Sequence, residues 1–380
     1  MIYLDHNATS PLRPGIAEVV FSALSQLTGN PSSVHGAGRA SRQKLDEARR
    51  AVAALVEVHE SRVVFTSGGS ESNNLALFGV AAHRGFQGTI LTSSVEHPSI
   101  LSTCEQLAHR GMKVIRLPVD SAGRVDPADV AATLDKSTVL VSIMAANNET
   151  GVLQPIAAIG AICRQAEVLF HTDATQWMGK IPLLPDSFHV DLLTLSAHKL
   201  GGPKGTGALI VGPSIRLEPH ILGGGQERGR RAGTENLPGI VGFGAAATQV
   251  KTAMTTEAEA MARMQQQLED GILATLPDAV IFGNTAQRLP NTTAVGMRGV
   301  DGETLVMTLD LAGFAISSGA ACSSGRTTPS HVLVAMGVEQ EFNQSAVRIS
   351  LGWDTSAHAV DLFINAFSRS VNRLRKGSHF

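Results

Sequence analysis

The chain has 380 residues, 43% of them hydrophobic and 17% charged, which is enough apolar content for a large buried core and for two domains rather than one. Its 31 Lys and Arg against 33 Asp and Glu leave a formal charge of -2, so bulk electrostatics favour neither nucleic acid nor an anionic membrane, and a small-molecule partner is expected. The opening run "MIYLDHNATS" has no basic leader with an apolar core behind it, and no uninterrupted apolar stretch reaches the roughly 18 residues of a membrane span. A cytoplasmic location is the expectation.

From about residue 40 helical patterns alternate with short apolar runs. "SRQKLDEARRAVAALV" is followed by "RVVFTSG", then come "TILTSSVEH", "KVIRLPV", "TVLVSIMAANNETG" and "VLFHTDAT". That rhythm predicts an α/β fold with mostly parallel strands buried under helices, and ligand groups in the loops at the carboxyl ends of the strands. After Gly223 the pattern changes. "GGGQERGRRAGTEN" is a polar, glycine-rich loop, and a long helix is predicted through "TTEAEAMARMQQQLEDGILATL". The runs "AVIFGN", "NTTAVGM" and "QSAVRISLG" read as strands of a smaller α+β domain, with helices at "GETLVMTLDLAG" and near the C-terminus. The expected division is a large domain over residues 14–250 and a small one made of 1–13 and 251–380.

The segment "VVFTSGGSESNNLAL" is a strand, two glycines and an apolar helix, the arrangement in which a helix start can hold a phosphate; a plain turn capped by Ser70 is the alternative. "GGPKGTG" does not fit the spacing of a nucleotide-binding P-loop and is rejected as one. Asp173 ends the buried run "VLFHTDATQ", where a carboxylate needs a cation or a donor. Lys199, beside His198, ends "DLLTLSAHKLGG", where loss of solvent would lower its pKa and suit it to form a Schiff base. A phosphate cradle, a buried aspartate and a buried lysine together suit pyridoxal 5'-phosphate.

In order along the whole chain, "YLDHNATS", "GNPSSVHGAGR", "FTSGGSESNN", "EHPSI", "NNETGV", "HTDATQ", "SAHKLGGPKG", "GGGQERGRRAGTEN", "SSGAACSSG" and "VRISLG" resemble the cysteine desulfurases of the NifS/IscS branch, within the class V aminotransferases of fold type I. The resemblance implies that Lys199 carries the cofactor and that Asp173 partners its pyridine nitrogen. It implies that His97 stacks on the ring, that Gln176 bonds the phenolic oxygen, and that Asn148 lies against cofactor and substrate. Gly69, Ser70, Ser196 and His198 are implied to hold the phosphate, and Thr234 to reach the phosphate of the neighbouring subunit in a homodimer with shared active sites. Arg348 is implied to clamp the carboxylate of the substrate, L-cysteine, with an internal salt bridge as its alternative role.

Cys322 lies in "ISSGAACSSGR", and the resemblance implies that it takes the sulfur as a persulfide and passes it to an acceptor protein such as an iron–sulfur assembly scaffold. Cys104 and Cys163 sit in apolar helical patterns and are expected to be core residues. Three widely spaced thiols argue against a disulfide framework and against a metal site. The cluster Arg228, Arg230 and Arg231 lacks interleaved aromatics and is read as an interface loop without direct nucleic-acid binding. The nearest alternative activity is that of a selenocysteine lyase or another class V transaminase or lyase. A non-catalytic sulfur-relay subunit is the alternative from another class, and Lys199 argues against it.

Overall fold

The computed structural model describes residues 1–319 and 329–377. Seven strands form the central sheet in the order Val63–Thr66, Gly207–Val211, Leu192–Ser196, Leu169–Asp173, Thr138–Ser142, Thr89–Ser93 and Lys113–Leu117. All pairings are parallel except those of Gly207–Val211, which runs antiparallel to both neighbours. The reason is local. Parallel neighbours need a crossover of a dozen or more residues, and the link from Ser196 to Gly207 holds only a tight turn over Ala197–Leu200.

The strands are apolar on both faces, as a sheet covered on both sides requires. Successive residues alternate between two clusters: Val63, Phe65, Leu91, Val141 and Leu193 join one, while Val64, Ile90, Leu140 and Leu192 join the other. Cys163 belongs to the first cluster and Cys104 to the second, both without solvent exposure. Burial pushes each thiol up to about 12, so the expectation that both are core residues holds.

A second sheet runs Ser317–Ser318, Val347–Ser350, Thr292–Gly296 and Val280–Ile281, all antiparallel. It packs with the helices Gly302–Leu311 and Ala357–Gly377 around a separate apolar cluster that includes Leu305, Phe363 and Phe367. The long helix expected after the glycine-rich loop runs from Leu237 to Thr275. Pro238 stands in its first turn and the Asn236 side chain accepts from Gly239 N, so the helix start is well defined. Its first half contributes Phe243 and Val250 to the large core, and its second half contributes Met261 and Leu268 to the small one.

The N-terminal segment also joins both parts. Leu4 belongs to the small core, Ser350 N donates to Leu4 O at 2.8 Å, and Ser10 N donates to His198 O at 2.9 Å. Residues 5 to 9 thereby cross between the two sheets, beside the carboxyl ends of the large sheet's central strands.

Candidate active site

A cavity of about 300 Å3 opens at those strand ends, within the size range of small-molecule sites. Its lining includes Gly69, Ser70, His97, Asn148, Asp173, Gln176, Ser196, His198, Lys199 and Arg348, ten residues that the sequence marks as candidates. They come from different loops. Gly69 and Ser70 follow the strand Val63–Thr66, His97 follows Thr89–Ser93, and Asn148 follows Thr138–Ser142, while Asp173 and Ser196 end their own strands.

Thr234 is exposed and does not line this cavity. Cys322 lies outside the described residues.

The helix Gly69–His83 starts at the cavity wall. Its N-cap is Gly68, which offers no side-chain acceptor, so the first N–H groups are available to an anion, and Ser70 is not the cap. A Cβ on Gly69 would stand 3.0 Å from Thr175 Oγ1 and 3.6 Å from Ser196 Cβ, so glycine keeps this corner open. Thr175 Oγ1 and Ser196 Oγ are buried and have no hydrogen-bond partner. Hydroxyls in that state are costly, and here they converge with free helix N–H groups. His198, pushed down to about 4 by burial and by the charges of Lys199 and Lys204, joins them as a neutral ring.

Asp173 is held from two sides: Thr175 N donates to Oδ1 at 2.9 Å and Asn73 Nδ2 donates to Oδ2 at 2.7 Å. Asn73 Nδ2 also donates to Ser99 Oγ at 2.8 Å. Ser99 N in turn donates to His97 Nδ1 at 3.1 Å, which leaves the proton of a neutral His97 ring on Nε2. Burial is the main cause that lowers the pKa of His97, opposed by the charge of Asp173. One amide, Asn73, therefore ties the carboxylate to the histidine.

Lys199 Nζ donates to the carbonyls of Asn7 at 2.5 Å and Ala8 at 2.7 Å. The same Asn7 carbonyl accepts from Gln176 Nε2 at 2.9 Å, while Gln176 Oε1 is buried without a partner. Arg348 is buried on the strand Val347–Ser350 and donates from Nη1 to Asn148 O at 3.0 Å. It also pairs with Asp5 Oδ1 at 2.8 Å, so the salt bridge anticipated as its alternative role exists alongside its place in the cavity wall.

Asn7, Asn73, Ser99 and Thr175 also line the cavity, and residue-by-residue reading did not single them out. Asn73 gave little signal, since it is one of five consecutive polar residues, Ser70 to Asn74, ahead of the apolar part of its helix. Asn7 had none, because its role is carried mainly by a backbone carbonyl.

The family model for aminotransferase class-V matches residues 2–363. The chain belongs to this family. A cysteine desulfurase of Nostoc sp. is 42% identical over 380 residues, covering 100% of this chain and 95% of the relative. A solved structure described as a NifS-like protein superposes with a TM-score of 0.92 at 36% identity, covering 98% of this chain and 99% of that one. Another, described as SspA in complex with cysteine, gives a TM-score of 0.82 at 33% identity over 92% of this chain and 99% of the other. The fold is that of the pyridoxal-phosphate enzymes of fold type I, and the cofactor of this family is pyridoxal phosphate.

The cavity fits that group. Unpartnered Thr175 and Ser196 hydroxyls beside a helix start suit a phosphate, and Gln176 Oε1 is a further polar atom in want of a partner.

Proposed function

We infer that the protein is a pyridoxal-phosphate-dependent cysteine desulfurase, converting L-cysteine to L-alanine and handing the sulfur to an acceptor. The observation that carries this reading is the meeting of Lys199, Asp173 and a corner of unpartnered hydroxyls in one cavity. When bound, the cofactor supplies an electron sink for the pair left at the substrate's Cα and Cβ. Gly69, Ser70, Ser196 and His198 would hold its phosphate, Gln176 its phenolic oxygen, Asp173 its pyridine nitrogen, and His97 its ring.

Lys199 is the residue that moves protons: its amine takes the Cα proton and returns it. The carbonyls of Asn7 and Ala8 accept from Nζ and limit where the amine can sit. Arg348 orients the substrate through its carboxylate, with Asn148 beside it. The substrate's C–S bond breaks as a thiolate bonds to its sulfur, a role that falls to Cys322; the bond's electron pair stays at Cβ, which takes up a proton equivalent to that of the substrate's thiol and becomes the methyl group of alanine. Cys104 and Cys163 are poor candidates, since burial holds both as thiols.

The protein works as a cytoplasmic homodimer in which Thr234 of one subunit completes the phosphate site of the other, with an iron–sulfur assembly scaffold as sulfur acceptor. Its large domain spans 14–250, and 1–13 with 251–380 form the small one. No helix among the described residues is long and apolar enough to cross a membrane. The test is incubation of the purified protein with L-cysteine. Equimolar alanine and one extra sulfur on the Cys322 peptide by mass spectrometry are expected; transamination of a keto acid without sulfur release would favour another class V activity.

A further inference from the structure

Arg348 and the N-terminal segment are built around one another. The strand Val347–Ser350 is extended by a parallel bridge from Ser350 to Asp5, with Ser350 N donating to Leu4 O at 2.8 Å and His6 N to Ser350 O at 3.2 Å. The Tyr3 hydroxyl shares its single proton between Thr9 O at 2.7 Å and Asp5 O at 3.0 Å, which closes the turn behind the aspartate. The backbone on both sides of Asp5 is thus fixed, and its short side chain brings Oδ1 to 2.8 Å from Arg348 Nη2.

A guanidinium has five N–H donors in a rigid plane. Asp5 takes one on Nη2 and Asn148 O takes one on Nη1, so three remain, including the buried and unpartnered Nε. Arg348 is 2% exposed, and a charge so buried needs a counter-charge to stay in place. Asp5 provides it from a position the backbone does not let it leave.

We propose that Asp5 is a positioning residue for the substrate's carboxylate: it fixes the plane of Arg348 so that the remaining Nη donors face the cavity before substrate arrives. The inference rests on the reading of Arg348 as the carboxylate clamp. Binding then loses little side-chain freedom, because the arginine is already ordered. Asp5 remains with Arg348 when the second carboxylate is bound, and the guanidinium serves both.

The test uses the holoenzyme and its Asp5→Asn variant, an isosteric change that keeps an acceptor and removes the charge. Since a charged hydrogen bond is about twice as strong as a neutral one, the KM for L-cysteine is expected to rise about three- to tenfold with kcat little changed. The half-saturation of the cofactor's absorption change should shift equally for L-cysteine and stay in place for L-cysteine methyl ester, which has no carboxylate. Asp5→Glu, which restores the charge, should recover part of the loss.

An unchanged or lowered KM in Asp5→Asn would overturn the proposal, a lowered one by showing that Asp5 competes with substrate. An equal shift for the ester would also overturn it, as a general structural defect. Arg348→Lys separates the two layers: if that variant leaves the KM unaltered, the clamp reading itself is wrong, whereas a raised KM there with no change in Asp5→Asn removes Asp5 alone.

Discussion

Asp173 ends one strand and Lys199 lies in the tight turn just beyond the end of its parallel neighbour, and each depends on partners that the sequence does not display together. For Lys199 the expected outcome of replacement by alanine is loss of the borohydride-reducible link to the cofactor. Lys180 is near enough for its charge to be felt, but its Nζ is buried and donates to Gln176 O at 2.6 Å rather than lining the cavity. A reducible link that survives in Lys199→Ala would transfer the role to another lysine.

Asn73 is the residue whose loss should separate structure from chemistry. Its amide donates both to Asp173 and to the Ser99 hydroxyl beside His97, so Asn73→Ala leaves the Asp173 carboxylate with one fewer donor. A stability loss of about 1–3 kcal/mol is expected from the unpaired buried groups. Turnover should fall about tenfold or more beyond that, because loss of a charged hydrogen bond is worth about 1.5–3 kcal/mol. Steady-state kcat beside urea unfolding of the same variant measures both; a lowered stability with normal kcat would reduce Asn73 to a packing role.

At the scale of elements, the strand runs were legible because each is a short apolar stretch that ends in polar residues, and the polar ends are the site. Val63–Thr66 leading to Gly69, and Leu169–Asp173 ending on the aspartate itself, are examples. Less legible was the antiparallel Gly207–Val211, since only the short link from Ser196 sets its direction. The loop around Glu227 was also hidden. Glu227 and Arg228 adopt left-handed backbone with φ of 46° and 58°, and the buried pairing of Glu227 with both Nη atoms of Arg49, each at 2.7 Å, holds them there.

The glycine-rich turn before the helix Gly69–His83 makes its own prediction. Gly69→Ala would place a methyl 3.0 Å from Thr175 Oγ1 and 3.6 Å from Ser196 Cβ, in the corner assigned to the phosphate. Loss of about one charged hydrogen bond implies roughly ten- to hundredfold weaker cofactor retention. Dialysis of the holoenzyme followed by the cofactor's absorbance measures it, and unaltered retention would move the phosphate elsewhere in the cavity.

Across the whole molecule, the helix Leu237–Thr275 and the N-terminal segment join the packing of the large sheet to that of the small one, and the cavity lies beside that segment. The cost of building it shows in the ionisable groups sealed around it. Burial pushes Glu96 up to about 8 and Glu149 up to about 7, and it pushes Lys180 down to about 7. Glu96 accepts from Ser93 Oγ at 2.6 Å and Met144 N at 2.9 Å, both at Oε1, while Oε2 is buried without a partner. One satisfied oxygen and one unsatisfied oxygen favour the protonated acid.

Both carboxyls bind a proton more tightly folded than unfolded, so their contribution is fully present below the ordinary carboxyl pKa and is lost as pH rises towards 7 and 8. Lys180 has the opposite sign: the folded state binds its proton less tightly, and stability rises between about pH 7 and the ordinary lysine range. These three groups contribute least near neutral pH, whereas buried neutral histidines such as His198 act in the opposite sense, their contribution growing as pH rises from about 4 towards the ordinary histidine range. In Glu96→Gln an amide stands where the protonated carboxyl stood and does not titrate. At about 1.4 kcal/mol per pH unit for one proton, the wild type should lose on the order of 2–3 kcal/mol more than the variant between about pH 5.5 and 7.5. Urea unfolding at both pH values reads this difference directly. Equal losses in the two proteins would mean that Glu96 is already ionised in the folded state, and that water or a cation reaches its second oxygen.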